Sequence, residues 1–119
     1  MTRVVLLEDY LDYARQLPCV QQLAKRVDLQ IYTTKAASET ETVERTREAQ
    51  IVVTIRDRVR YTPSLLGHLG HLQLLSVCGA RLTHIDLDAA TRHGVLICAP
   101  TLEEQGTLTK AATPIDKSS

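Results

Sequence analysis

The sequence predicts an α/β fold built on a five-stranded parallel sheet. Short β-branched apolar runs recur at Val4–Leu7, Leu29–Thr33, Ile51–Ile55, Leu72–Val77 and Val95–Cys98. Their starts lie about 20 to 25 residues apart, room for one crossover helix each time. The intervening segments carry helix punctuation in place of hairpin turns. Each run is continuous rather than alternating, the pattern of strands covered on both faces.

The elements follow in order. After the first strand, Tyr10 to about Lys25 places Leu11, Ala14, Leu17, Val20, Leu23 and Ala24 near helical spacing, one apolar stripe. Pro18 lies inside that stripe and removes a backbone donor, which predicts a kink or two short helices. Ser38 followed by Glu41 is a capping box that opens a polar helix to about Ala49. Its Glu41–Arg45 pair at i, i+4 and its few apolar residues suit an exposed helix near a sheet edge. Thr62-Pro63 sets a capping hydroxyl before proline at the first helical position, starting a short helix to about Leu69. Asp86 caps a helix through Arg92 and His93, whose charges suit its C-terminus, and Gly94 ends it. Beyond Pro100 the apolar pattern stops. Residues 1–100 are expected to form one domain, and 101–119 a polar, flexible tail.

Composition excludes several function classes. The 119 residues suit a single domain, and 14 basic against 14 acidic residues leave no net charge for neutralising phosphates. Four Tyr are the only aromatics, so base-stacking platforms are scarce and no nucleic-acid role is expected. No apolar run approaches the roughly 20 residues of a membrane span, and Met1-Thr2-Arg3 opens no signal peptide, so a cytoplasmic, soluble chain is expected. Cys19, Cys78 and Cys98 are widely spaced without a Cys-x-x-Cys pair, so neither a zinc site nor a redox pair is indicated and thiols in a reducing cytosol are expected. His68, His71, His84 and His93 form no metal set. The turn Glu8-Asp9-Tyr10-Leu11-Asp12 lacks dinucleotide glycines, and no phosphate-gripping Gly-x-x-x-x-Gly-Lys loop occurs, so this chain is expected to bind no cofactor.

Ligands in open parallel sheets bind outside the carboxyl ends of the strands, and here the segment Cys78-Gly79-Ala80-Arg81 is the most suggestive end. A glycine directly after a central strand lets backbone N–H groups approach a small anion. Arg56 and Arg81 supply forked donors suited to a carboxylate. The same residues also read as a plain turn flanked by solvated arginines. Arg56, Arg58 and Arg60 alternate, so an extended chain would show all three on one face, either as an anion site or as an exposed loop. The pair Glu8-Asp9 resembles the acidic pocket of response-regulator receiver domains. Those domains also need an Asp ending strand three and a Lys after strand five, whereas here Asp57 lies one position beyond and Lys110 too far along.

Three stretches carry a closer resemblance: Ile51-Val52-Val53-Thr54-Ile55-Arg56, Leu72-Gln73-Leu74-Leu75-Ser76-Val77-Cys78-Gly79, and the run from Ile85-Asp86-Leu87 through Ala89-Ala90 to Gly94-Val95. With Val4-Val5-Leu6-Leu7-Glu8-Asp9-Tyr10, they resemble the N-terminal substrate ("catalytic") domain of the D-isomer-specific 2-hydroxyacid dehydrogenases over about residues 3–100. The resemblance implies a flavodoxin-like, doubly wound substrate domain. It implies that Gly79 and its neighbours Cys78, Ala80 and Arg81 hold a substrate carboxylate through backbone amides, with Arg56 nearby. In that family a Rossmann domain follows the fifth strand and carries the NAD glycines and the catalytic Arg, Glu and His. No such residues are assignable here, so an inactive, stand-alone or truncated substrate domain is expected. A Gly-x-Gly-x-Asp after strand four is replaced by Gly79-Ala80-Arg81-Leu82-Thr83. Losing the cofactor domain and a returning helix would expose apolar surface, which predicts a homodimer, a partner chain, or a non-enzymatic interaction module.

Overall fold

A computed structural model describes residues 1–56, 58–79 and 82–99. The strands are β1 (Arg3–Leu7), β2 (Asp28–Ile31), β3 (Ile51–Ile55), β4 (Leu74–Cys78) and β5 (Leu96–Cys98). They pair in parallel in the order β2-β1-β3-β4-β5. The order reverses at β1, which puts the switch point between β1 and β3. The parallel pairing is what the spacing of the apolar runs predicts, and the doubly wound order is the one that the family resemblance implies.

The helices are α1 (Pro18–Leu23), α2 (Glu39–Thr46), α3 (Pro63–Gly67) and α4 (Leu87–Arg92). Three of them begin where the sequence marks a cap. Ser38 Oγ accepts from the Glu41 N–H at 3.2 Å, and the Glu41 carboxylate accepts in turn from the Ala37 N–H at 2.6 Å. Thr62 Oγ1 accepts from the Leu65 N–H at 3.0 Å, and Asp86 Oδ1 from the Ala89 N–H at 2.9 Å. The segment Tyr10–Lys25 divides as Pro18 requires. A 3₁₀ turn at Ala14–Gln16 ends on an extended Leu17, and α1 restarts with Pro18 in its first turn.

The predicted stripe along that segment is not a buried face. Only Ala14 is buried in the 3₁₀ turn, α1 buries nothing, and Leu11 is 82% exposed. A helix of six residues broken from its neighbour cannot present the stripe to the sheet as one surface.

Strand burial departs from the sequence pattern in an informative way. On one face Val5, Val52 and Leu75 stand in register, followed by Leu7, Thr54 and Val77, and all six are buried. They pack in one cluster with Val43 of α2, Leu65 and Leu66 of α3, and Ala89 and Ala90 of α4, Thr54 lying among them. On the other face the row Val4, Ile51, Leu74, Leu96 runs from buried at β1 through half-buried to 52% exposed at β5. The next row, Leu6, Val53, Ser76, Cys98, opens in the same direction. Continuous apolar runs thus mean two-sided cover only at β1; β3 and β4 alternate in burial. Among the described residues no helix is long and apolar enough to cross a membrane.

Candidate functional site

The carboxyl ends of β1, β3 and β4 converge at the switch point. Backbone geometry there is unusual: Glu8, directly after β1, has φ 60°, and Arg56, directly after β3, has φ 51°. Each left-handed non-glycine residue costs roughly 1–2 kcal/mol, and such positions gather at ligand sites.

Arg56 and Gly79 meet across the ends of β3 and β4. The Arg56 N–H donates to the Cys78 carbonyl at 2.9 Å, continuing the β3–β4 ladder by one bond. A Cβ on Gly79 would stand 3.2 Å from the Arg56 Cα, tighter than ordinary contact, and Gly79 sits at φ 158°, so both the close approach and the backbone favour glycine here. The Arg56 side chain is exposed and makes no hydrogen bond or ion pair with any described residue. Of the five residues predicted for the carboxylate site, the structure therefore brings Arg56, Cys78 and Gly79 together; Ala80 and Arg81 lie outside the described residues. Cys78 is exposed as a residue, yet the atoms packed around its thiol push its pKa up, and the same cause acts on Cys98. Neither thiol is an activated nucleophile.

The loops flanking this site are tied together by backbone. The Tyr61 N–H donates to the His84 carbonyl at 2.8 Å, and the Asp86 N–H to the Tyr61 carbonyl at 3.0 Å. The two rings meet edge-on with centroids 6.3 Å apart. Tyr61 is fully buried, and burial pushes its hydroxyl well above the ordinary range, with the Thr54 hydroxyl opposing and the Glu8 carboxylate adding to the shift.

The acidic pair after β1 is buried and engaged. The Asp9 carboxylate accepts from the Ala14 N–H at 2.8 Å, anchoring the 3₁₀ turn. The Glu8 carboxylate accepts from the Tyr10 hydroxyl and, at 3.2 Å, from the Ala36 N–H. That hydrogen bond to Glu8 is the main cause raising the Tyr10 hydroxyl pKa.

The three alternating arginines do not share one extended face. The chain turns at Arg56, and Arg58 folds back over the Tyr10 ring at 4.4 Å while donating to the Glu8 carbonyl at 2.5 Å. Arg58 and Arg60 line a cleft of about 180 Å³ with Lys35, and Arg56 is not part of it. Sequence reasoning noted the arginines but missed that they share a cleft with Lys35, because the cleft is lined from separate loops. A wider groove of about 520 Å³ runs along Leu82, Ile85, Asp86, Leu87 and Asp88. Among the described residues its charged lining consists of the carboxylates of Asp86 and Asp88, which do not favour an anion.

A parallel sheet in the order β2-β1-β3-β4-β5, with a glycine held against an arginine backbone at the carboxyl ends of its central strands, defines a doubly wound α/β domain. The chain belongs to the D-isomer specific 2-hydroxyacid dehydrogenase family: the model of that family's catalytic domain matches residues 4–102. It is 26% identical over 95 residues to the D-3-phosphoglycerate dehydrogenase of Sus scrofa, covering 80% of this chain and 17% of the relative. Among solved structures it resembles the phosphoglycerate oxidoreductase from Vibrio cholerae O395, with TM-score 0.78 and 32% identity over 85% of this chain and 32% of the other. An oxidoreductase from Ralstonia solanacearum superposes with TM-score 0.78 and 28% identity, covering 85% of this chain and 30% of that one. The chain thus spans about a sixth of the curated relative's length and about a third of these solved structures'.

Proposed function

We propose that this chain is the substrate-holding domain of a 2-hydroxyacid dehydrogenase and binds a small 2-keto or 2-hydroxy carboxylate at the Gly79 loop. The observation that carries this reading is the 3.2 Å approach of the Gly79 Cβ position to the Arg56 Cα. With no side chain at Gly79 in the way, its N–H can close on a carboxylate, and the Arg56 guanidinium, which has no partner among the described residues, can reach it as a forked donor. Hydride transfer falls outside these residues. The β1 end offers no glycine, and its buried Glu8 and Asp9 carboxylates would repel a pyrophosphate, so no dinucleotide fits there. We assign the NAD-dependent step to a second body, either further chain or a partner, and expect this domain alone to be inactive. Cys19 and Cys78, both free and exposed, suit a reducing, cytoplasmic setting.

The test is an amide NMR titration of the full chain with a panel of 2-keto and 2-hydroxy acids and, separately, with NADH. Shifts clustered at Arg56 and Cys78–Arg81 with one of the acids, and none with NADH, are expected. NADH binding would overturn the assignment of the cofactor to a second body. Silence from every acid would overturn the carboxylate site.

One observation favours a second reading, an interaction module. The apolar row Ile51, Leu74, Leu96 opens progressively toward the β5 edge, and a sheet face of this kind is normally covered by association. A second copy of the chain is the expected cover. Light scattering would show a dimer that Leu96→Glu dissociates; a monodisperse wild-type monomer would count against it.

A further inference from the structure

The connections that leave β3 and β4 carry Arg56 and Gly79, and they are joined at two places. At the near end the ladder closes on Ile55 opposite Cys78, and the Arg56 N–H adds its bond to the Cys78 carbonyl. Beyond that the two chains part, and they meet again at a parallel bridge between Tyr61 and Ile85. Tyr61 makes both bonds of that bridge. Its N–H donates to the His84 carbonyl at 2.8 Å, and its carbonyl accepts from the Asp86 N–H at 3.0 Å. Each chain enters a helix on the next residue, because Thr62 caps α3 and Asp86 caps α4. The bridge therefore fastens the far ends of both connections to elements packed in the core.

The Tyr61 side chain runs from the far end of this frame back to the near end. It is fully buried in the cluster that holds Leu65, Val77, Ile85 and Ala89. Its hydroxyl comes up beside the hydroxyl of Thr54, the β3 residue paired with Val77. Neither hydroxyl reaches hydrogen-bond geometry with a described residue. A buried hydroxyl without a bond destabilises, so the span of the ring, and not a bond from its tip, is what Tyr61 contributes. Arg56 needs such support. At φ 51° it persists only where its surroundings over-determine its backbone, and its own N–H supplies one bond.

We propose that Tyr61 is a positioning residue for the Gly79 site: its ring and its bridge to Ile85 hold the two connections at the separation that sets the Gly79 backbone against Arg56. The proposal rests on the carboxylate reading for its ligand, whereas the frame can be tested without one. The approach at stake is the 3.2 Å between the Gly79 Cβ position and the Arg56 Cα. A small widening there would separate the Gly79 N–H from the Arg56 guanidinium and weaken their joint grip on a carboxylate.

The experiment combines native-state amide exchange with titration by pyruvate and D-lactate, all on the full chain. It compares the parent with Tyr61→Leu, which keeps the backbone bridge but loses the ring, and Tyr61→Phe, which keeps both. Val43→Ala is the control, a truncation of the same core in α2 and outside the frame. Tyr61→Leu should speed exchange at the Arg56 and Asp86 amides by about tenfold or more beyond its effect at Val5 and Val52, and should weaken acid binding by about tenfold. Tyr61→Phe should match the parent in both readouts. Val43→Ala should raise exchange evenly across the sheet and leave acid affinity unchanged. Should Tyr61→Leu not fold, Tyr61→Met, which fills more of the same space, takes its place. The proposal is overturned if the ring-less variant speeds all these amides alike, or if it binds the acids as the parent does. A parent that binds neither acid refutes the carboxylate reading, and the exchange rates then decide by themselves whether Tyr61 holds Arg56 against Cys78.

Discussion

Gly79→Ala tests the physical basis of the carboxylate site. The added Cβ would stand 3.2 Å from the Arg56 Cα, 3.5 Å from its Cγ and 3.6 Å from its N. Ordinary carbon–carbon contact is about 3.5–4.0 Å, so one contact is short by a few tenths of an ångström. The Cγ belongs to an exposed side chain and can move aside. The Cα cannot, because Arg56 already sits at φ 51° and its N–H is bonded to the Cys78 carbonyl at 2.9 Å. Overpacking costs roughly 1–3 kcal/mol, and a single short contact belongs at the lower end. Gly79 also sits at φ 158°, a backbone conformation that side chains rarely adopt, so alanine adds strain that outweighs the roughly 0.4–1 kcal/mol returned by lost unfolded-state entropy. The expected net destabilisation is about 1–3 kcal/mol, read as a lower urea midpoint at unchanged slope. Gly70→Ala is the control: nothing lies within 4 Å of its Cβ position, so the variant should be as stable as the parent or slightly more so. If Gly79→Ala matches Gly70→Ala in stability, the close approach to Arg56 does not constrain the loop. The reason given for glycine at the site would then be wrong.

Other consequences follow from individual contacts. Asp86→Ala removes the cap on the Ala89 N–H and should cost about 1 kcal/mol, lowering Tm by roughly 4–8 °C in calorimetry. Leu75, wholly buried in the covered face, should lose roughly 2–5 kcal/mol on truncation to Ala, whereas Leu96→Ala on the open face should lose under about 1 kcal/mol in a chain kept monomeric. Burial holds the Tyr61 hydroxyl protonated in the folded state at pH values where the unfolded chain, with a pKa near 10.0, releases the proton. This contribution to stability is complete below about pH 10 and falls as pH rises further, by at most about 1.4 kcal/mol per pH unit. Tyr61→Phe should therefore flatten the alkaline decline in urea-unfolding free energy between about pH 9 and 11; parallel declines would refute that origin.

The features legible in the sequence are those decided within a few residues. Ser38, Thr62 and Asp86 cap their helices because each oxygen bonds an N–H three positions on, a distance the sequence displays directly. Pro18 interrupts its helix for an equally local reason. Strand spacing forced crossover connections and hence a parallel sheet. Gly79 was likewise recognisable from its place directly after a central strand, although its partner Arg56 comes from another strand end.

Tertiary structure decided the rest, because burial and clefts belong to pairs of distant segments. Val52 and Val53 are adjacent and chemically identical, yet one lies under the helices and the other on the half-open face. Nothing local in β3 distinguishes a face that a helix will cover from one it will not. Arg58 reaches the carbonyl of Glu8, 50 residues away, and Lys35 joins it from a third loop. Side-chain chemistry and near-neighbour spacing set the strands and caps of this protein, whereas the path of the chain between strands set which side chains share a cleft or remain uncovered.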